Sequence, residues 1–206
     1  MTSRERILDS ATRIFAQYGY RLASMELVAQ ECGLTRQALY HHFDSKEALF
    51  RAVSEAVLKR ALEAERNAAL HQERAGKGLA EIMAAQLEAR YRHFFDLLKG
   101  SAHAEELMSE HQRQTRDLHQ RSAQQKSDMI AATIARVCAA NGLRLREGMT
   151  PAELARCVEL ASRGIRLEQA DDAALGDLTR SIRLLIRGAV AETPQPTRPK
   201  ARKRRP

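Results

Sequence analysis

Residues 24–50 read SMELVAQECGLTRQALYHHFDSKEALF, and the spacing within this stretch predicts two short helices joined by a tight turn and followed by the start of a third. Val28 and Ala29 fall on the inner face of the first helix, and Ala29 is small where a second helix must cross close to it. Gly33 supplies a backbone that can end a helix without a Cβ penalty. Thr35 follows as an N-cap, so the second helix is expected to begin at about Arg36. At about 100° per residue, Arg36, Gln37, Tyr40 and His41 share one arc of that helix, while Ala38 and Leu39 share the other. The outward arc offers a guanidinium suited to guanine or phosphate, an amide suited to adenine, a phenol and an imidazole. This is the pattern of a helix-turn-helix that reads DNA. An ordinary helical hairpin with a solvated face has the same spacing, and the short pattern alone leaves both readings open.

The wider segment adds Ile7-Leu8, Ala11, Phe15 and Gly19-Tyr20 before this stretch. With Val28-Ala29, Gly33-Leu34-Thr35, Leu39 to Phe43, Ser45-Lys46-Glu47 and Leu49-Phe50, it resembles the N-terminal domain of TetR-family transcriptional regulators. The run LYHHFDSKEALF is the most diagnostic part, and the resemblance covers about residues 4–50 without a gap. Nothing after about residue 55 carries a comparable match. The resemblance implies that Thr35, Arg36, Gln37 and Tyr40 contact base edges and phosphates, with His41, His42 and Lys46 on the DNA backbone. His42 fits least well, because its helical phase points inward. Ala23 and Met25 stand where the family often has hydroxyl residues, which leaves Ser24 as the candidate phosphate contact at that corner.

The 206 residues suffice for one or two compact units, and 44% apolar residues is ordinary for a globular protein. The sequence has no run of 18 or more apolar residues and no charged-then-apolar leader, so a cytoplasmic location is expected. Cys32, Cys138 and Cys157 lack the CxxC spacing of a zinc or redox site and read as buried free thiols, with redox sensing the lesser alternative. Six basic residues between Arg198 and Arg205 account for most of the net charge of +8, leaving +2 for the rest. Residues 1–51 hold seven Arg/Lys against six Asp/Glu, so DNA binding must rest on placed groups rather than on a general positive field.

None of the five prolines precedes Pro151, and Ala, Leu, Glu, Gln and Arg abound without alternating stretches. The chain is therefore expected to be all-α, with about nine helices. Residues 1–50 would form a three-helix DNA-binding domain, residues 51–192 a larger effector-binding and dimerisation domain, and residues 193–206 a disordered basic tail. The first helix is expected to start near Arg4, after a Thr2/Glu5 capping pair, and to end at Gly19. Asp44 and Glu47 have the same spacing and predict a long helix over 45–70. Further helices are expected over 79–98, 112–140, from Pro151, and over 172–191. Gly142 caps the second of these, and Thr150-Pro151-Ala152-Glu153 is the clearest helix start in the chain.

Gln86 and Arg90 fall in phase with the apolar stripe of helix 79–98, so each needs a partner on an inward face. For Arg90 that partner is an anionic ligand, unless the side chain snorkels to the rim or pairs with a local acid. By phase and polarity, Met83, Gln86, Arg90, Tyr91, Phe94, Met108 and His111 are the candidate effector-pocket residues. His103, His111 and His119 recur every eight residues, an offset of about 80° along one helix, which argues against a shared metal site. Val158, Ala161, Ile165, Leu178, Ile182 and Leu185 lie on wide apolar faces of the last two helices. These faces either complete the protomer core or pack against a second copy, and the family resemblance favours the dimer.

These readings converge on a dimeric transcriptional repressor that leaves a pseudo-palindromic operator when a small molecule binds. The alternative is an effector-independent or architectural DNA-binding protein that uses the basic tail. An enzyme is disfavoured by the lack of a Gly-rich phosphate loop, a nucleophile elbow or a metal-spaced ligand set, and no cofactor is expected.

Overall fold

Thr2 and Glu5 close a reciprocal capping box, with Glu5 N–H donating to the Thr2 hydroxyl at 3.2 Å and Thr2 N–H to the Glu5 carboxylate at 2.7 Å. This box opens α1 (Ser3–Leu22) in the computed structural model, which describes residues 2–163 and 171–191 and is all-α. Among the described residues follow α2 (Met25–Cys32), α3 (Arg36–Tyr40), α4 (Lys46–Arg74) and α5 (Leu79–Leu98). Then come α6 (Ala104–Gln114), α7 (Arg116–Asn141), α8 (Pro151–Ser162) and α9 (Asp172–Ala189).

Several boundaries differ from the sequence expectation. The α1 backbone breaks at Gly19, as expected, but a further turn carries it to Leu22. Helix α4 is capped by Ser45, whose hydroxyl accepts from Ala48 N–H at 3.0 Å, and not by Asp44. It also runs one turn beyond Leu70 to Arg74. The expected helix over 112–140 is instead two helices that meet at the buried Thr115. The Thr115 hydroxyl donates to the His111 carbonyl at 2.6 Å, a local bond that competes with the helical ladder. The caps at Gly142 and at Thr150/Glu153 form as expected.

Two apolar clusters hold the protein together. The first packs Ile7, Ala11 and Phe15 of α1, Val28 and Ala29 of α2, and Leu39 of α3 against Leu49, Phe50 and Val53 of α4. It extends to Leu98, Ala104 and Leu107, so α5 and α6 rest directly on the helix-turn-helix unit. Phe50 meets the rings of Phe15 and Tyr20 edge-on at centroid distances of 5.1 and 4.9 Å. The second cluster joins Leu79, Ile82, Met83 and Leu87 of α5 to Ile130, Ile134 and Val137 of α7, and to residues of α8 and α9.

Val158, Leu178 and Ile182 belong to this second cluster and are at most 4% exposed, so they complete the protomer core rather than offering a face to a second copy. Leu185 packs against it, Ala161 is exposed, and Ile165 lies outside the described residues, as does the basic tail. The large apolar side chains left open on α8 and α9 among the described residues are Leu160 and Leu184, 54% and 64% exposed. All three cysteines are free; Cys138 is buried, and burial pushes its thiol pKa up.

Candidate nucleic-acid interface and internal cavity

The reading helix is aimed by what it buries. Gly33 adopts φ 67° and ψ 31° at the end of α2, and Thr35 caps α3 by accepting from Ala38 N–H at 3.1 Å. Leu39 is fully buried, which turns Thr35, Arg36, Gln37 and Tyr40 toward solvent. The Arg36 guanidinium lies 5.5 Å from the centre of the Tyr40 ring, which holds the two side chains together on the exposed face. Helix α3 ends at Tyr40 with His41 as its C-cap, so the inward phase expected for His42 does not apply and both imidazoles are exposed.

Two other expected contacts are already engaged within the fold. Ser24 caps α2 by accepting from Leu27 N–H at 3.2 Å, which leaves its hydroxyl proton free for a phosphate. The Lys46 ammonium does not stand free beside the reading helix. It donates to the carbonyls of Tyr20 at 3.0 Å and Ala23 at 3.1 Å and sits 4.5 Å from the centre of the Tyr20 ring. Lys46 thus ties the end of α1 to the start of α4, while Tyr20 O–H donates to Glu47 at 2.9 Å. Ala23 and Met25, where hydroxyls were sought, are buried.

A cavity of about 650 Å3 opens between α1, α4, α5, α6, α7 and α8. Of the candidate pocket residues, Arg90, Tyr91, Phe94, Met108 and His111 line it. Met83 does not, because it is fully buried in the second apolar cluster. Gln86 is equally buried and does not line the cavity, and neither of its amide atoms has a hydrogen-bond partner among the described residues. Arg90 finds the carboxylate alternative: Nη1 donates to Glu65 Oε1 at 2.8 Å, with the two side chains 9% and 0% exposed. Burial pushes the Glu65 pKa up, and the adjacent Arg90 charge opposes that shift.

The break at Thr115 also changes the histidine geometry. His111 and His119 lie on different helices with ring centroids 6.0 Å apart, a proximity that phase along a single helix does not give. Burial, with His119 as the second cause, pushes the His111 pKa down to about 4. His111 therefore stays neutral in the folded chain where an unfolded chain binds a proton. Stability should fall as pH drops from about 6.5 toward 4. Thermal unfolding of His111→Leu across that range should show a flatter slope than the parent chain.

Sequence reasoning missed the cavity residues outside α5 and α6. Lys126 lies in phase with Ile130, Ile134 and Val137, and Glu159 with Ala155 and Val158, so an inward charge on each helix was the available signal. Glu65 could have been found the same way from Leu58, Ala61 and Ala69. The α1 contribution, from Thr12, Phe15 and Ala16, had no such signal.

The fold and its exposed α3 define a helix-turn-helix protein with an appended helical domain. Residues 7–53 match the family described as bacterial regulatory proteins, tetR family, so the N-terminal helix-turn-helix domain is similar to that of TetR-family regulators. It is 47% identical over 51 residues to the HTH-type transcriptional repressor Rv1474c of Mycobacterium tuberculosis, covering 25% of this chain and 27% of that protein. It is 32% identical over 93 residues to the HTH-type transcriptional regulator YerO of Bacillus subtilis, covering 45% and 32%. The chain thus spans about a third or less of the length of these curated relatives. The fold extends further than the sequence match. SmeT, the repressor of the Stenotrophomonas maltophilia multidrug efflux pump SmeDEF, superposes with a TM-score of 0.61 at 23% identity, over 93% of this chain and 92% of its own. A transcriptional regulator from Rhodococcus sp. Rha1 gives a TM-score of 0.65 at 17% identity, over 91% and 98%. No helix among the described residues is long and apolar enough to cross a membrane.

Proposed function

We propose that the chain is a sequence-specific transcriptional repressor that binds a pseudo-palindromic operator as a homodimer and is released by a small molecule held in the cavity. The observation that carries this reading is the continuity between cavity and reading head. Phe15 of α1 and Phe50 and Val53 of α4 both line the cavity and pack the core that holds α3. A ligand that alters their packing changes the support of the reading helix, provided it binds one arrangement better than the other. Two copies are required because one short helix contacts too few base pairs for useful specificity. Leu160, Ala161 and Leu184 are the dimer contacts this reading now uses, since the other candidates on α8 and α9 are turned inward or lie outside the described residues.

Selection of genomic fragments with the purified chain at physiological salt should yield a twofold-symmetric motif. Arg36→Ala and Tyr40→Ala should each weaken binding to it by about 1–3 kcal/mol. Enrichment without a motif, unchanged by these substitutions, would replace this reading with the architectural one. Equal ligand affinity for free and operator-bound protein would remove the release mechanism, because coupling is reciprocal.

A further inference from the structure

The cavity has two unlike ends. Along α5, Arg90 and Leu98 both line it and stand eight residues apart, about 12 Å along the helix axis. Around Leu98 the wall is Phe15, Phe50, Val53 and Leu107, close to the reading head. Around Arg90 it carries His119, Lys126 and Glu159.

The polar end sets Arg90 and Lys126 against the carboxylates of Glu65 and Glu159, but Glu65 is fully buried and does not line the cavity, so the cavity itself meets two cations and one carboxylate. Arg90 gives one N–H to Glu65 and makes no other hydrogen bond to the described residues. The Lys126 ammonium, 14% exposed, pairs loosely with Glu159 Oε1 at 3.7 Å, which leaves N–H groups open toward the cavity it lines. Arg90 and Lys126 repel one another, and both bear on His119. Two cations with unmet donors, facing a largely apolar chamber, call for an acceptor-rich anionic group. A cationic ligand would meet Glu159 there but also both of these charges.

We propose that the cavity binds an amphipathic monocarboxylate, its carboxylate held between Arg90 and Lys126 and its hydrocarbon or aryl body lying along Phe94, Leu98, Phe50 and Phe15. This inference rests on the reading of the cavity as the effector site. It also gives that reading a direction: the head group is fixed at the distal end, and the length of the body decides how hard it presses on α1 and the start of α4.

The test is calorimetric titration of the full chain with decanoate and 6-phenylhexanoate, their primary amides, and decylamine. At least one acid should bind roughly tenfold or more tightly than its amide, the scale of one charge-assisted hydrogen bond in a dry site. Lys126→Met should collapse the acid-to-amide ratio toward one, and Lys126→Arg should retain it. Equal binding of acid and amide, preference for the amine, no binding of either acid, or an undiminished ratio in Lys126→Met would each overturn the proposal. The same acids are then added to the operator complex. Tight acid binding without release would sink the release reading while leaving the ligand class in place, whereas release by a neutral or cationic compound with no acid binding would do the reverse.

Discussion

Arg90→Met should lower the stability of the chain by about 3–5 kcal/mol, as expected when one partner of a buried ion pair is removed. The cost arises from what is left behind. Glu65 is fully buried, its Oε1 is held by Arg90 at 2.8 Å, and its Oε2 has no partner. Without the guanidinium, the carboxylate must stay charged and unpaired or take up a proton. The Glu65 pKa is raised in the folded chain by burial, and losing Arg90 raises it further. A folded state that holds its proton more tightly than the unfolded state loses stability as pH rises from the unfolded value of about 4.5 toward the folded one. The Arg90→Met deficit should therefore be smallest at acidic pH and largest at neutral pH. The double variant Glu65→Leu/Arg90→Met should recover most of the loss, since apolar packing often replaces a buried ion pair without penalty. Urea unfolding of the two variants at pH 5 and pH 7.5 checks all three points. A single variant within 1 kcal/mol of the parent would show that water reaches the pair. The double variant, although stable, should have lost the acid-to-amide preference of the cavity, which separates the pair's role in recognition from its role in folding.

That pair also marks where sequence reasoning stops. Local chemistry was legible at most places where one residue type at one spacing decides the geometry, the Asp44/Glu47 spacing displaced by the Ser45 cap being the exception. The Thr2/Glu5 and Thr150/Glu153 boxes, the Gly33 turn, the Thr35 cap and the exposure of Arg36, Gln37 and Tyr40 all follow from short-range rules. Arg90 could be seen to need a partner, but not which one, because Glu65 lies 25 residues away on another helix. Periodicity identified inward faces on α8 and α9 without saying what covered them. Val158 and Ile182 are covered by the protomer's own helices, while Leu160 and Leu184 on the same two helices are not. Phase arguments also fail where the helix they assume is interrupted. His42 follows the end of α3, and His119 follows the break at Thr115, so both stand where continuous helical phase would not put them. Lys46 shows a different limit, since nothing local reveals that three carbonyls at the end of α1 will converge on it.

Gly19→Ala should cost about 2–4 kcal/mol, combining roughly 1–3 for a backbone conformation that is nearly glycine-only with a smaller term for the contacts displaced. Gly19 has φ 73° and ψ 172°, a region that L side chains with a Cβ scarcely enter. Space is equally short, for an added Cβ would stand 2.5 Å from Glu106 Oε2 and 2.9 Å from the His103 ring. Glu106 cannot swing aside freely. Its Oε1 accepts the Arg21 N–H at 2.8 Å, and the Ser101 hydroxyl donates to Ala16 carbonyl at 2.6 Å beside it. These bonds clamp the start of α6 onto the end of α1, two residues before Ser24 opens α2. The same clamp sits on the helix that presents Leu107, Met108 and His111 to the cavity, which makes it a second connection between the cavity and the reading head beside the packing of Phe15 and Phe50. Gly33→Ala provides the control. Gly33 also has a positive φ, but it lies in the ordinary left-handed region with nothing within 4 Å of the added Cβ, and should cost only about 1–2 kcal/mol. Glu106→Gln, which keeps an acceptor for Arg21 N–H but loses the charge beside His103, should stay within about 1 kcal/mol of the parent. If Gly19→Ala proved no worse than Gly33→Ala, the clamp would be loose and α6 could not carry ligand-driven movement to α1 by this path. If it proved worse and also weakened operator binding in proportion beyond its effect on unfolding, the α1–α6 contact would be part of the DNA-competent arrangement itself.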